Sequence, residues 1–114
     1  MNLIKPFRQA IEGDWRAALT RDEWFFVRQR DELAERLSPN EAFDAIGEVT
    51  TLLLLQTEPL LRYECGAFLL SLACRSDTTE MPSQLRRDWD SVIHALNYEM
   101  SIKEQLLDWY RLSK

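Results

Sequence analysis

The chain has 114 residues and a mass of 13.5 kDa, room for one small domain spanning 1–114. With 46% hydrophobic and 29% charged residues, four Trp and five Phe, it is too apolar to be disordered throughout, because that surface is costly to keep in water. Fourteen Lys and Arg against nineteen Asp and Glu give a net charge of −5, so a phosphate backbone is not expected as a direct ligand.

The N-terminal stretch carries Lys5 and Arg8, but Glu12 and Asp14 intervene before any apolar run forms, so no secretory signal is expected. The first predicted helix covers about Leu3–Leu19, with Ile4, Phe7, Ile11, Trp15 and Ala18 on one stripe and Gly13 as a point where it can break. Thr20-Arg21-Asp22-Glu23 has the form of a capping box and predicts a second helix over about Arg21–Leu37. Its apolar positions are Trp24, Val27 and Ala34 beside Phe26, Leu33 and Leu37. Trp24, Phe25 and Phe26 are consecutive and cover roughly 200° of that helix, so all three cannot face one core and one is left for the surface or an interface.

Ser38-Pro39-Asn40-Glu41 combines an N-cap serine, proline at the first helical position and glutamate at the third. It opens a third predicted helix over about Pro39–Gln56, with Ala42, Ile46, Val49 and Leu53 at helical spacing. Thr57-Glu58-Pro59 opens a fourth, about Glu58–Cys74. Leu61, Cys65, Phe68, Leu69 and Leu72 form one face of it, while Leu60, Ala67 and Leu70 make the other apolar too, which suits the centre of a bundle. Cys65 and Cys74 fall on opposite faces of that helix, roughly 13 Å apart along its axis. That excludes a disulfide between them and fits free thiols in a reducing cytoplasm.

The only substantial loop, Arg75–Pro82, precedes a fifth predicted helix, about Gln84–Asn97, with a stripe of Leu85, Trp89, Val92, Ile93 and Leu96. The sixth, about Ile102–Leu112, follows a third box, Ser101-Ile102-Lys103-Glu104. No strict alternation and no Asn-Gly or Asp-Gly hairpin occurs. The expected fold is all-α: a compact bundle of about six helices built from antiparallel hairpins, with a short HEAT-like stack as the alternative topology. The longest apolar runs reach about ten residues, half of what a membrane span needs.

The sequence is poor in chemistry. His94 is the single imidazole, opposite the apolar stripe of its helix, and reads as a surface residue. Glu-x-x-His pairs and glycine-rich phosphate loops are missing, and one His with two Cys is too few for zinc. No metal, cofactor or catalytic residue is expected; a carboxylate pair acting as acid and base is the form an enzyme here takes. Glu64 lies within the apolar fourth helix, either in an internal hydrogen bond or ion pair, or at a surface position on an otherwise apolar helix, or as a polar anchor at a binding groove.

Charge supplies the clearest functional signal. Between Arg36 and Arg62 there is no Lys or Arg, while Glu41, Asp44, Glu48 and Glu58 fall in that stretch. Glu41, Asp44 and Glu48 share one helical face, where like charges cost a few tenths of a kcal/mol each. Either basic side chains from another helix answer them, or they form an acidic patch that steers and docks a basic partner.

Arg62-Tyr63-Glu64-Cys65 through Leu70-Ser71-Leu72-Ala73, followed by Ser76-Asp77-Thr78-Thr79-Glu80-Met81-Pro82, resembles small helical immunity proteins of bacterial contact-dependent growth inhibition and polymorphic toxin systems. The resemblance implies a cytoplasmic protein that binds and neutralises a cognate toxin domain, basic and nuclease-like, without catalysis. The residues expected to serve such binding are Glu41, Asp44, Glu48 and Glu58, with Trp24 or Phe25 as aromatic anchors. A helical adaptor or regulatory subunit of an unrelated complex is the rival reading.

Overall fold

A computed structural model of the chain describes residues 3–111. Among these the fold is all-helical, with α1 Lys5–Glu12, α2 Trp15–Arg21, α3 Phe25–Arg36, α4 Pro39–Leu55, α5 Pro59–Ser76, α6 Ser83–Arg87, α7 Trp89–Ala95 and α8 Met100–Trp109. Two of the six predicted helices are therefore broken in two. The first breaks at Gly13, whose extended backbone ends α1, and the Asp14 carboxylate caps α2 by accepting from the Ala17 N–H at 3.2 Å. The fifth kinks at Asp88, which ends α6 and begins α7.

Helix starts divide according to where the hydroxyl goes. Ser38 forms the full capping box, its Oγ accepting from Glu41 N–H while the Glu41 carboxylate accepts from Ser38 N–H at 2.9 Å. Thr20 instead donates to the Arg16 carbonyl at 2.9 Å inside α2, so α3 begins at Phe25, not at Arg21. Asp22 turns the chain there, accepting from Trp24 N–H at 3.0 Å. Ser101 lies within α8 and accepts from Gln105 Nε2 at 3.1 Å, so the third expected box is not formed and α8 begins at Met100. The expected end at Leu112 lies outside the described residues.

The α4–α5 hairpin is the centre. α3 packs on α5 and α1 on α3; α6 and α7 pack on α4, and α8 on α5. Phe7 joins the N-terminal layer to the hairpin, 4.5 Å from Phe68 and 6.3 Å from Phe26 between ring centroids. The radius of gyration is 13.3 Å, what a compact chain of this length has.

Two arginines of α5 close the carbonyl ends of earlier helices. Arg62 Nε donates to the Gln56 carbonyl and Arg75 Nε to the Leu37 carbonyl, both at 2.8 Å. These satisfy acceptors that a helix end otherwise leaves open. The Arg75 bond also places the end of α3, the start of α4 and the end of α5 together at one end of the molecule, while Arg62 ties the end of α4 to the start of α5 at the other.

On the other side of α5, Gly66 lets α8 and the end of α7 come close. A Cβ there meets Leu96 Cδ2 at 2.7 Å and Ile102 Cγ2 at 3.4 Å, and both side chains are buried. Gly66→Ala gains up to about 1 kcal/mol of helix propensity but overpacks a closed site, which typically costs about 1–3 kcal/mol. We expect a net loss of about 1–2 kcal/mol in urea unfolding; a gain in stability shows instead that Leu96 turns aside freely.

Candidate acidic docking surface

The loop after α5 is fixed rather than loose. Asp77 ends the helix in the left-handed region (φ 57°), its N–H donating to the Cys74 carbonyl at 3.2 Å, a conformation aspartate tolerates better than most residues. Trp109 Nε1 of α8 donates to the Thr78 carbonyl at 3.0 Å, and the Glu80 N–H donates to Thr78 Oγ1 at 3.1 Å. Pro82 is buried and Met81 packs on the core. The side chains of Asp77 and Glu80 are left exposed.

Around this loop lie two clefts. One of about 510 Å³ is lined by Asp77, Thr78, Thr79, Asp108, Trp109 and Arg111. The other, about 270 Å³, runs between the start of α4 and the loop, past Asn40, Phe43, Thr78 and Glu80. Glu41 and Asp44 project from the first two turns of α4 at the same end. Glu41, Asp44, Asp77, Glu80 and Asp108 are all exposed, and none of them is ion-paired among the described residues. Nearby cations are committed elsewhere or few: Arg75 holds Leu37, Arg36 lies 3.9 Å from Glu32, and Arg111 lines the larger cleft. Five carboxylates outnumber Arg75 and Arg111 around this fixed loop, and a surplus of negative charge produces a field that steers an oppositely charged partner.

The sequence-predicted residues divide between the two ends. Glu41 and Asp44 belong to the acidic end. Glu48 does not join the exposed carboxylates: it is half-buried, its Oε2 accepts from the Leu3 N–H at 3.4 Å, and its Oε1 has no partner among the described residues. Glu58 and Trp24 lie at the opposite end, about 20 Å away along α4. Glu58 precedes α5 and faces Arg16 at 3.5 Å, an exposed pair worth little. The aromatic run is resolved residue by residue. Phe26 is buried, Phe25 packs at the core margin with its ring 5.1 Å from Phe26, and Trp24 is 57% exposed. Asp77, Glu80 and Asp108 lie outside the basic-free stretch, and only the fold brings Glu80 beside the start of α4 and Asp108 beside Asp77.

Glu64 forms an internal ion pair with Arg30 of α3, the two side chains 9% and 11% exposed. Burial pushes its carboxyl above the ordinary range, and Arg30 pulls it only partly back. Cys65 is buried and its thiol pushed up to about 12 by burial, with the Glu64 charge adding to the shift; Cys74 is exposed, and both are free thiols. His94 is exposed on α7. Among the described residues no three His, Cys, Asp or Glu side chains gather as a metal site, and no helix is long and apolar enough to cross a membrane.

No protein-family model, no curated protein and no solved structure matches this chain.

Proposed function

We propose that the chain is a non-catalytic binding protein whose acidic end receives a basic protein domain. In its specific form it is a cytoplasmic immunity protein that neutralises a cognate toxin domain, basic and nuclease-like. The observation that carries the reading is the set of five exposed carboxylates (Glu41, Asp44, Asp77, Glu80 and Asp108) around a fixed loop, none of them ion-paired among the described residues. A nuclease presents a basic surface to its polyanionic substrate, and carboxylates held where phosphates sit compete for it. The loop that displays Asp77 and Glu80 is part of the segment that resembles immunity proteins. Within that segment Arg62, Glu64 and Cys65 hold the fold together, which leaves the loop as the part available to a partner. We read the architecture as a bundle of hairpins around α4–α5, with a short HEAT-like stack as the other arrangement.

The adaptor reading draws on the opposite end, where Leu55 is 72% and Tyr98 93% exposed and a second partner has apolar surface to use. Co-expression with a toxin domain encoded beside this gene tests the proposal. Survival of the host and a stable co-purified complex are the expected results. A folded protein that neither protects nor binds overturns the pairing.

A further inference from the structure

At the end of the molecule far from Glu41 and Asp44, a cleft of about 300 Å³ lies between the close of α4, the start of α5 and α7. Buried Leu53 and half-buried Ala95 supply its apolar lining. Its polar lining is a set of hydrogen-bond donors from three parts of the chain: Arg62 on α5, Ser91 and His94 on α7, and Asn97 and Tyr98 just after α7. Arg62 is the fixed member. Its Nε donates to the Gln56 carbonyl at 2.8 Å, which holds the half-buried side chain against the α4–α5 connection. Its guanidinium has no ion-pair partner among the described residues. Ser91 and His94 are one turn apart on α7 and share a face. No Asp or Glu lines this cleft among the described residues, whereas both clefts at the acidic end carry at least one. The nearest carboxylates along the two helices are Glu58, one turn before Arg62, and Asp90, one turn before His94. Glu58 faces Arg16 at 3.5 Å, and Asp90 lines a different cleft, on the α8 side of α7.

A guanidinium held through Nε keeps its two terminal nitrogens as a planar pair of charged donors, the arrangement that meets two oxygens of a carboxylate or phosphate. The Ser91 and Tyr98 hydroxyls, the Asn97 amide and the His94 imidazole add neutral donors around it. An anion entering there displaces no carboxylate from the lining, and the low exposure of Arg62 screens their attraction less than open solvent does. We propose that this cleft binds the oxyanion group of a small ligand, a phosphate or a carboxylate, with Arg62 as the charged clamp and Ser91, His94 and Asn97 completing its hydrogen bonds. The inference goes beyond the reading of a basic protein partner and does not rest on it. The two surfaces lie at opposite ends of α4 and share no residue, so an acidic chain carries one site for a cationic domain and another for a small anion.

His94 is the single histidine of the chain, so its imidazole C–H resonances report the cleft without ambiguity. The test titrates the full chain with inorganic phosphate and, separately, with acetate, at fixed pH and with ionic strength held constant by sodium chloride. Phosphate is expected to move the His94 signal saturably, and acetate, with two oxygens in place of a tetrahedral set, to bind about tenfold more weakly. Saturation by acetate with the weaker response from phosphate supports the site equally and assigns it to carboxylates. Arg62→Gln is expected to weaken binding at least about tenfold, the loss of a charge-assisted pair of hydrogen bonds. Arg62 also closes the Gln56 carbonyl, so circular dichroism checks that this variant folds. Asn97→Ala, at an exposed position, is a second variant that leaves the fold alone and is expected to weaken binding about threefold. A His94 signal that neither anion moves beyond the matching chloride, a response that never saturates, or full binding by the folded variants overturns the site. The toxin pairing is read in a separate experiment on the other end of the molecule, so either proposal fails without the other.

Discussion

Replacing Glu64 by alanine is expected to cost about 3–5 kcal/mol of folding stability, because it leaves the Arg30 guanidinium without a counter-charge in a place where only 11% of the side chain meets solvent. A domain of this size holds about 5–15 kcal/mol in total, so the variant stands close to unfolding at room temperature. The pair itself is a weak source of net stability, since desolvating both ions offsets their attraction. Arg30→Met combined with Glu64→Leu is therefore expected to restore most of the loss or exceed the parent. Urea unfolding of the two single variants and the double variant decides this. A Glu64→Ala loss below about 1 kcal/mol, the level of an exposed pair, removes the buried pair from the account of the fold.

The same pair sets a pH dependence of definite sign. Burial holds the Glu64 carboxyl above its ordinary value of 4.5, so between the two values the folded chain binds more protons than the unfolded one. The Glu64 contribution is then present in full below about pH 4.5 and falls as pH rises through the raised value. Relative to the double variant, the parent is expected to gain stability on acidification across that window. Arg30→Ala sharpens the contrast: the carboxylate it strands can take up a proton, so its cost shrinks at low pH, whereas the cost of Glu64→Ala does not.

Charge reversal at the acidic end is expected to slow partner association by about 10- to 100-fold at low salt and to flatten its salt dependence. Asp44→Lys, Glu80→Lys and Asp108→Lys are the substitutions to combine, because all three side chains are exposed and none is ion-paired among the described residues. Glu41 and Glu48, obvious choices from the sequence, are poor ones. Glu41 completes the cap of α4 and Glu48 accepts from the Leu3 N–H, so reversing either mixes a folding defect into the kinetics. Stopped-flow association with the toxin domain, read against ionic strength, makes the measurement. Unchanged rates at low salt with an unchanged fold exclude the acidic end as the docking surface.

The sequence by itself determined the helical class, the start of α4 at its capping box and the central place of α5, because apolar periodicity and capping chemistry are local properties. Ser38 with Glu41 was legible for that reason, and so was the surplus among Trp24, Phe25 and Phe26, a matter of angles on one helix. Which aromatic goes outside was decided by tertiary packing, as Phe7 and Trp15 gather around Phe26. The break at Gly13 was legible in the sequence as a point where the helix can end, and the one at Asp88 was not. At Asp88 local pattern allowed a continuous helix, and the kink there lets both α6 and α7 pack on α4. The acidic end is the clearest case. Four carboxylates adjacent in sequence looked like one patch, yet α4 carries Glu41 and Asp44 to one end and leaves Glu58 beyond the other, while Glu48 turns inward. Asp77 and Glu80, distant in the chain, arrive where α4 begins because Arg75 holds the end of α5 to Leu37, and Trp109 ties α8, with Asp108, to the same loop. Charge acts through space, and only the fold says which charges share it.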